Sequence, residues 1–307
     1  MAITASQVKE LREISGAGMS ACKDALVEAN GDIKRASEIL REKGLATAAK
    51  KAGRIAAEGL VFTALSADST KGAIVEVNSE TDFVAKNDSF IEFVQNMAKQ
   101  ALSSTATTVD ALLAEQWVAD QSQTAGEVLT HKIATIGENL GLRRFERFEA
   151  AAGNTLIEYI HGGGRVGVMV EINAAEVNEA VLEAGRNICM QIAAMSPQFV
   201  SSAEMPAEYI ESEKAILLRT ALAENADLEK PLPESVIEKK VTGRLNKQLK
   251  EVCLLESEYV RDDSMTVAQY LGTVNTSILR FVRFEKGEGI EKKEENFADE
   301  VAKAMQG

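Results

Sequence analysis

Val75-Glu76-Val77-Asn78 returns 95 residues later as Val170-Glu171-Ile172-Asn173. The stretches around the two tetrapeptides also correspond. LVFTALSADSTKGAIVEVN leads into a helix-like run over 83–102, and TLIEYIHGGGRVGVMVEIN leads into AAEVNEAVLEAGRNICMQIAAM. Each copy reads strand, turn, strand, and then switches to the helical period. A repeat of this length predicts an α+β chain with two related half-domains, each an antiparallel hairpin backed by helices. The copies part at the strand–helix junction, where the first has SETDFVAKND and the second only AAEVNEA. The fold therefore does not require Asp82-Phe83, and the pair is a candidate functional tip. The competing reading makes Thr81 or Asp82 a helix cap and turns Phe83 into the core.

The first 45 residues predict three short helices. Thr4 and Gln7 form a capping-box pattern, and Val8, Leu11 and Ile14 make one apolar face. Gly16-Ala17-Gly18 breaks the chain, and Ser20 is the expected cap of the second helix, with Ala25, Leu26 and Ala29 inward. Asp32 caps the third, which Gly44 is expected to stop. The Ala- and Lys-rich 45–58 reads as a linker. Residues 108–140 look helical around the lone Trp117, and LRRFERFEA reads as a strand. After Pro197, two polar helical runs over 207–225 and 234–252 flank Pro231 and Pro233. They predict an antiparallel helical hairpin that interrupts the second half-domain and is a candidate homodimerisation arm. SILRFVRFEKGEG closes the core as a strand, and Asn296 caps a short terminal helix. The expected domains are a head and linker over 1–54, a first core half over 55–140, a second over 141–282 with the hairpin inserted at about 204–256, and a C-terminal module over 283–307.

Charge and composition narrow the function. The 307-residue chain carries a net charge of −13, which disfavours binding by phosphate neutralisation. Residues 1–54 hold 10 Lys/Arg against 7 Asp/Glu, a mildly basic head on an acidic body. Such a distribution suits a protein partner of mixed charge, or plain solubility. No apolar run approaches the ~18 residues of a membrane span. Cys22, Cys189 and Cys253 are few and far apart, as expected of a chain in a reducing cytoplasm. His131 and His161 are the only histidines, and no cysteine or histidine pair has metal-ligand spacing. No nucleophile elbow or phosphate-loop pattern is present, and the sequence implies no cofactor.

Gly162, Gly164 and Gly167 form a nominal G-x-G-x-x-G, but a strand follows at once where a dinucleotide loop must open a helix. They read as a hairpin turn. Arg143-Arg144 and Lys50-Lys51 read as solvated or ion-paired. Glu76, Glu80 and Asp82 are carboxylates capable in principle of acid–base chemistry, with no pattern that supplies a substrate pocket.

ITASQVKELREISGAGM, CKDALVEANGDI, AAKKAGRIAAEG, EVNSETDFVAKND, IGENLGLRR and RFEKGEGIEK stand in one order along the chain. In them the chain closely resembles the bacterial translation elongation factor Ts family, the guanine-nucleotide exchange factors for elongation factor Tu. The resemblance covers essentially the whole chain. It implies a ubiquitin-associated-like N-terminal module, a two-part core, an inserted coiled-coil hairpin and a C-terminal module. It implies that Thr81, Asp82, Phe83 and Val84 form the loop that enters the G domain of Tu near its Mg²⁺, with Phe83 wedging between two helices and Asp82 disturbing the metal's coordination. Arg12, Met19 and Lys23 are implied contacts of the head, and Ile136, Gly137, His161 and Val260 implied contacts of the core. SEYVRDD stands where relatives often carry an apolar pair, so Arg261 is not carried over. The resemblance implies a cytoplasmic protein that makes no covalent chemistry and touches neither nucleic acid nor membrane directly. The alternative is an adaptor that binds Tu or another partner without exchange activity.

Overall fold

A computed structural model describes residues 3–226, 228 and 230–291. Its head is built from three helices. Helix α1 (Ala5–Ser15) opens on the Thr4–Gln7 capping box and ends at Gly16, whose φ of 63° is the left-handed conformation glycine adopts freely. Helix α2 (Met19–Glu28) begins after Gly18 without a side-chain cap, so Ser20 lies inside its first turn. Helix α3 (Ile33–Lys51) is capped by Asp32. Leu11, Cys22, Leu26, Ala36 and Ile39 bury together. Ile14 departs from the expected inward face and is 60% exposed. Gly44 does not stop α3 either. It is buried against Ala134 of the core, and the helix continues through the expected linker because that packing replaces the missing stop.

The first core half begins with β1 (Glu58–Leu65) and β2 (Lys71–Ser79), followed by the single turn α4 (Asp82–Ala85) and the amphipathic α5 (Asp88–Ser103). After α6 (Val109–Ala114) comes a small hairpin, β3 (Gln116–Trp117) and β4 (Asp120–Thr124), where the sequence reading expected helix. Trp117 is buried there, its ring 5.5 Å from that of Phe93. Helix α7 (Ala125–Ile136) then leads to β5 (Gly141–Glu149). The second half repeats the plan with β6 (Asn154–His161), β7 (Val166–Ala174) and α8 (Glu179–Met195). Here a hairpin of α9 (Ala207–Ala226) and α10 (Glu234–Glu251) intervenes before β8 (Glu258–Tyr259), β9 (Asp262–Thr266), α11 (Val267–Thr273) and β10 (Thr276–Glu285).

Two three-stranded antiparallel sheets result, ordered β1-β2-β5 and β10-β7-β6. Strand β5 pairs with β2, Val75 opposite Phe145, so 141–149 belong to the first half and the boundary expected after 140 falls after Glu149. Strand β10 likewise carries the second half past 282 to Glu285. The cause is the same in each: a central strand, buried along its length, needs an edge strand on both sides. The expected terminal helix from Asn296 lies outside the described residues.

The halves join reciprocally. In the first, the Arg144 Nε bonds the buried Glu76 at 2.6 Å, and its guanidinium lies 4.1 Å from the ring centre of Phe284 in the other half. In the second, the Arg280 Nε bonds Glu171 at 2.7 Å and its guanidinium lies 4.1 Å from the ring centre of Phe148. Val61, Ile74, Leu156, Met169 and Val282 fill the space between. Gly164 completes the seam. Its carbonyl accepts from Val61 N–H at 2.8 Å, and a Cβ there would come 2.6 Å from Leu60 Cδ2. The α9–α10 hairpin is closed on itself by Ala221, Ile237 and Val241. It leaves and re-enters the core at one place, where Gln198 N–H donates to the Val252 carbonyl and Leu254 N–H to that of Phe199.

Candidate functional site

Strand β2 ends at Ser79, and the helix cap for α5 is Asn87, whose side chain accepts from Ser89 N–H. In the second copy the equivalent cap, Asn178, comes four residues sooner after the shared Asn. The extra residues form α4. Val84 and Ala85 are buried in the first half's core. On a four-residue turn that anchoring leaves the preceding side chain no inward direction, and Phe83 is 79% exposed. The reading that seals its ring in the chain's own core therefore fails. Asp82 pairs with Lys86 at 2.7 Å, and that ammonium holds its carboxyl below the ordinary value. Lys86 also lies 5.9 Å from the centre of the Phe83 ring. Thr81 occupies the N-cap position but caps nothing with its side chain.

Thr81 is instead held from across the fold. Its N–H donates to Glu138 Oε2 at 3.0 Å and its hydroxyl to Oε1 at 2.6 Å. Asn139 N–H donates to Glu80 Oε1 at 2.5 Å, and the Asn139 amide reaches the Arg54 carbonyl at 2.7 Å. Gly137, at φ 85°, ends α7, and its carbonyl accepts from Lys51. So Ile136, Gly137 and the tip are gathered around one joint, where the last turn of the head's long helix also arrives. His131 of α7 sits beneath the α1–α2 turn, and a Cβ on Gly16 would be 3.1 Å from its ring. Burial, with Lys132 adjacent, lowers the His131 pKa against a smaller upward pull from Ser15. Arg12, Met19 and Lys23 are exposed on α1 and α2, with no contact to the tip among the described residues.

His161 and Val260 lie apart from the tip, in the second half. They share an apolar cleft of about 450 Å³ with Tyr159, Met190 and Tyr259. Tyr159 OH and His161 Nδ1 are 3.0 Å apart. Val260 is 58% exposed on the β8–β9 turn, its N–H bonded to Gln191 Oε1 at 2.8 Å. The first copy repeats this tether, Val118 N–H to Gln100 Oε1 at 2.6 Å. Arg261, which the sequence reading set aside, braces the same cleft by donating to Asn187 Oδ1 at 2.6 Å.

The carboxylates weighed for acid–base chemistry are separately engaged. Glu76 is fully buried with Arg143, Arg144, Asn78 and Gly287 N–H, Glu80 meets Asn139 and Arg54, and Asp82 meets Lys86. Sequence reasoning missed Glu138, although it took the two residues before it. The available signal lay in the repeat: counted back from the paired Arg144 and Arg280, the second copy has Val274 where Glu138 stands.

Residues 80–288 match the sequence model of a family described as Elongation factor TS. The chain belongs to the elongation factor Ts family. It is 51% identical over 307 residues to Elongation factor Ts of Clostridium perfringens strain 13, covering 98% of each chain. To Elongation factor Ts of Clostridium botulinum strain Alaska E43 it is 50% identical over 309 residues, covering 99% of each. To that of Clostridium acetobutylicum it is 49% identical over 310 residues, again covering 99% of each. The Ts family match opens at Glu80, at the root of the tip, and closes at Glu288, which bonds Arg144 at 3.0 Å. Among the described residues no helix is long and apolar enough to cross a membrane.

Proposed function

We propose that this chain binds elongation factor Tu and promotes GDP release from it, with Phe83 as the wedge. The observation that carries the reading is a phenylalanine 79% exposed on a turn whose next two residues are buried. A side chain of that size left in water on a short, anchored turn is matched to a pocket supplied by something else. Family membership names the partner class.

A GTPase holds its nucleotide through a phosphate loop and a Mg²⁺ that neutralises the phosphates. Inserting an aromatic ring between two of its helices uses roughly 1.5–3 kcal/mol of apolar burial to hold them apart. Asp82, beside the ring, brings a negative charge towards the metal's surroundings and weakens the grip on the phosphates. By linkage, whatever factor the chain takes from nucleotide affinity, nucleotide takes from the chain's affinity. Each tenfold is about 1.4 kcal/mol, so a large effect needs more than one ring. Arg12, Met19 and Lys23 of the head, Ile136 and Gly137 beside the tip, and the cleft at His161 and Val260 supply the remaining grip. No bond is made or broken.

The test is release of a fluorescent GDP analogue from Tu, followed by stopped flow with wild-type protein and with Phe83→Ala. We expect acceleration by the wild type and a loss of roughly tenfold or more in the variant, the burial energy above expressed as rate. An equal rate from both proteins removes Phe83 from the mechanism. An adaptor without exchange activity would also keep its affinity for Tu in excess GDP, whereas an exchange factor is displaced.

A further inference from the structure

We propose that Glu138 is the positioning residue for the Phe83 wedge, a proposal that rests on the exchange reading above. Its carboxylate spans both donors of Thr81, at 3.0 Å from N–H and 2.6 Å from Oγ. Thr81 is the last residue before the turn that carries Phe83, so fixing its N–H and its χ1 together sets where α4 begins. Ser79 Oγ adds a bond to the Thr81 carbonyl at 3.0 Å. The clamp reaches 57 residues along the chain, from the end of α7. It is half-buried, where a charge-assisted bond is shorter and stronger than a neutral one.

The repeat supplies an internal control. The second copy lacks the four residues of the tip, and in the same copy Val274 replaces Glu138. Wedge and clamp are present together or absent together. A carboxylate needed only for the fold would serve both copies, as Glu76 and Glu171 do. The neighbouring latch, Asn139 to Glu80 and to the Arg54 carbonyl, holds the tip's root from the same segment. Exchange then depends on where the ring is held as well as on its being present, since a wedge free to swing loses orientation on each encounter.

Glu138→Ala and Glu138→Gln, each alone and with Phe83→Ala, separate this from a plain contact role. Glutamine retains both links, accepting from Thr81 N–H and donating to its hydroxyl, but carries no charge. We expect Glu138→Ala to lower the maximal GDP-release rate at saturating factor about fivefold or more. Glu138→Gln should keep at least half of the wild-type rate. Phe83→Ala/Glu138→Ala should be no slower than Phe83→Ala alone. Hydrogen exchange at the Thr81–Phe83 amides should quicken in Glu138→Ala while the strands of the core stay protected. Additive losses in the double variant, or a Glu138→Gln as poor as Glu138→Ala, overturn positioning in favour of a direct charge contact. If Phe83→Ala is slow but Glu138→Ala matches the wild type, the clamp falls and the exchange reading stands. If the wild-type protein does not accelerate release at all, both fall.

Discussion

The two halves of the core share one plan and spend it differently. Both run strand, strand, helix, small hairpin, helix, strand, and both bury a glutamate on the central strand beneath an arginine from the edge strand. Against that constant background the first half lengthens its strand–helix junction into a tip, and the second keeps the junction short and admits a helical arm after α8. The buried ion pairs stand in both, each fixing an arginine that lies over an aromatic ring of the opposite half. The tip is present in one half only, as the proposed wedge for a single partner site requires. What differs between copies is therefore a better guide to function than what they share.

The contrast between the halves predicts its largest effect for Phe83→Ala, an exchange defect without a change in melting temperature, because the ring contacts little of its own fold. Next come the paired glutamates. Burial pushes Glu76 up, but Gly287 N–H, Asn78 and the two guanidiniums outweigh it and hold its carboxyl below the ordinary value; Glu171 follows the same pattern with Asn154, Ala151 N–H and Arg280. Glu76→Gln takes the shared buried carboxylate from two arginines, leaving Arg144 its pair with Glu288, and should cost about 3 kcal/mol in urea unfolding, Glu171→Gln about half of that, since it removes the partner of a single, more exposed arginine. A depressed carboxyl stabilises above its unfolded pKa, so the wild type should lose this stability as pH falls below about 4.5, and each variant should lose less. Equal costs would mean the halves are energetically interchangeable.

Asp82→Ala should slow exchange only a few-fold, less than Phe83→Ala, because the wedge remains. The stopped-flow assay decides it, and a larger loss than Phe83→Ala would make charge the dominant element. The smallest effect belongs to Glu158, which occupies the position in the second copy that Thr63 holds in the first, by register with the central strands. The two meet where the halves join. Burial raises the Glu158 pKa, Thr63 offsets only part of that, and Glu158 Oε2 is buried without a partner among the described residues. A raised carboxyl destabilises the fold as pH climbs past the unfolded value. Glu158→Gln should therefore raise the melting temperature by about 1–3 °C at pH 7 and have no effect near pH 4, as calorimetry would show.

How much of this was readable beforehand follows the range of the interactions. Val-Glu-Val-Asn was legible because a buried central strand repeats its residues at a constant spacing. The likeness of LRRFERFE to ILRFVRFE was equally present but shifted out of phase, because the inserted arm changes the spacing from 95 to 136. So the sequence alone places β5 in the second half, whereas it pairs with β2 of the first. The β3–β4 hairpin escaped because its strands are short and DQSQT is polar, with a pattern of neither period. Gly44 misled because a helix stop is a local rule and the contact with Ala134 is not. The second copy points to an exposed Phe83 and, by its Val274, singles out Glu138, but it does not say that Glu138 holds Thr81. Nothing in the local spacing ties Thr81 to a glutamate in another element.

The root of the α9–α10 hairpin carries a last consequence. Its two chain ends meet side by side at Phe199 and Cys253, joined by backbone bonds that would form whatever lay beyond them. Among the described residues the arm meets the core at that narrow neck, where Tyr209 of α9 also lies edge-on to Phe199. A short turn spliced in for α9–α10 between Phe199 and Cys253 should therefore leave the two-sheet body folded as before.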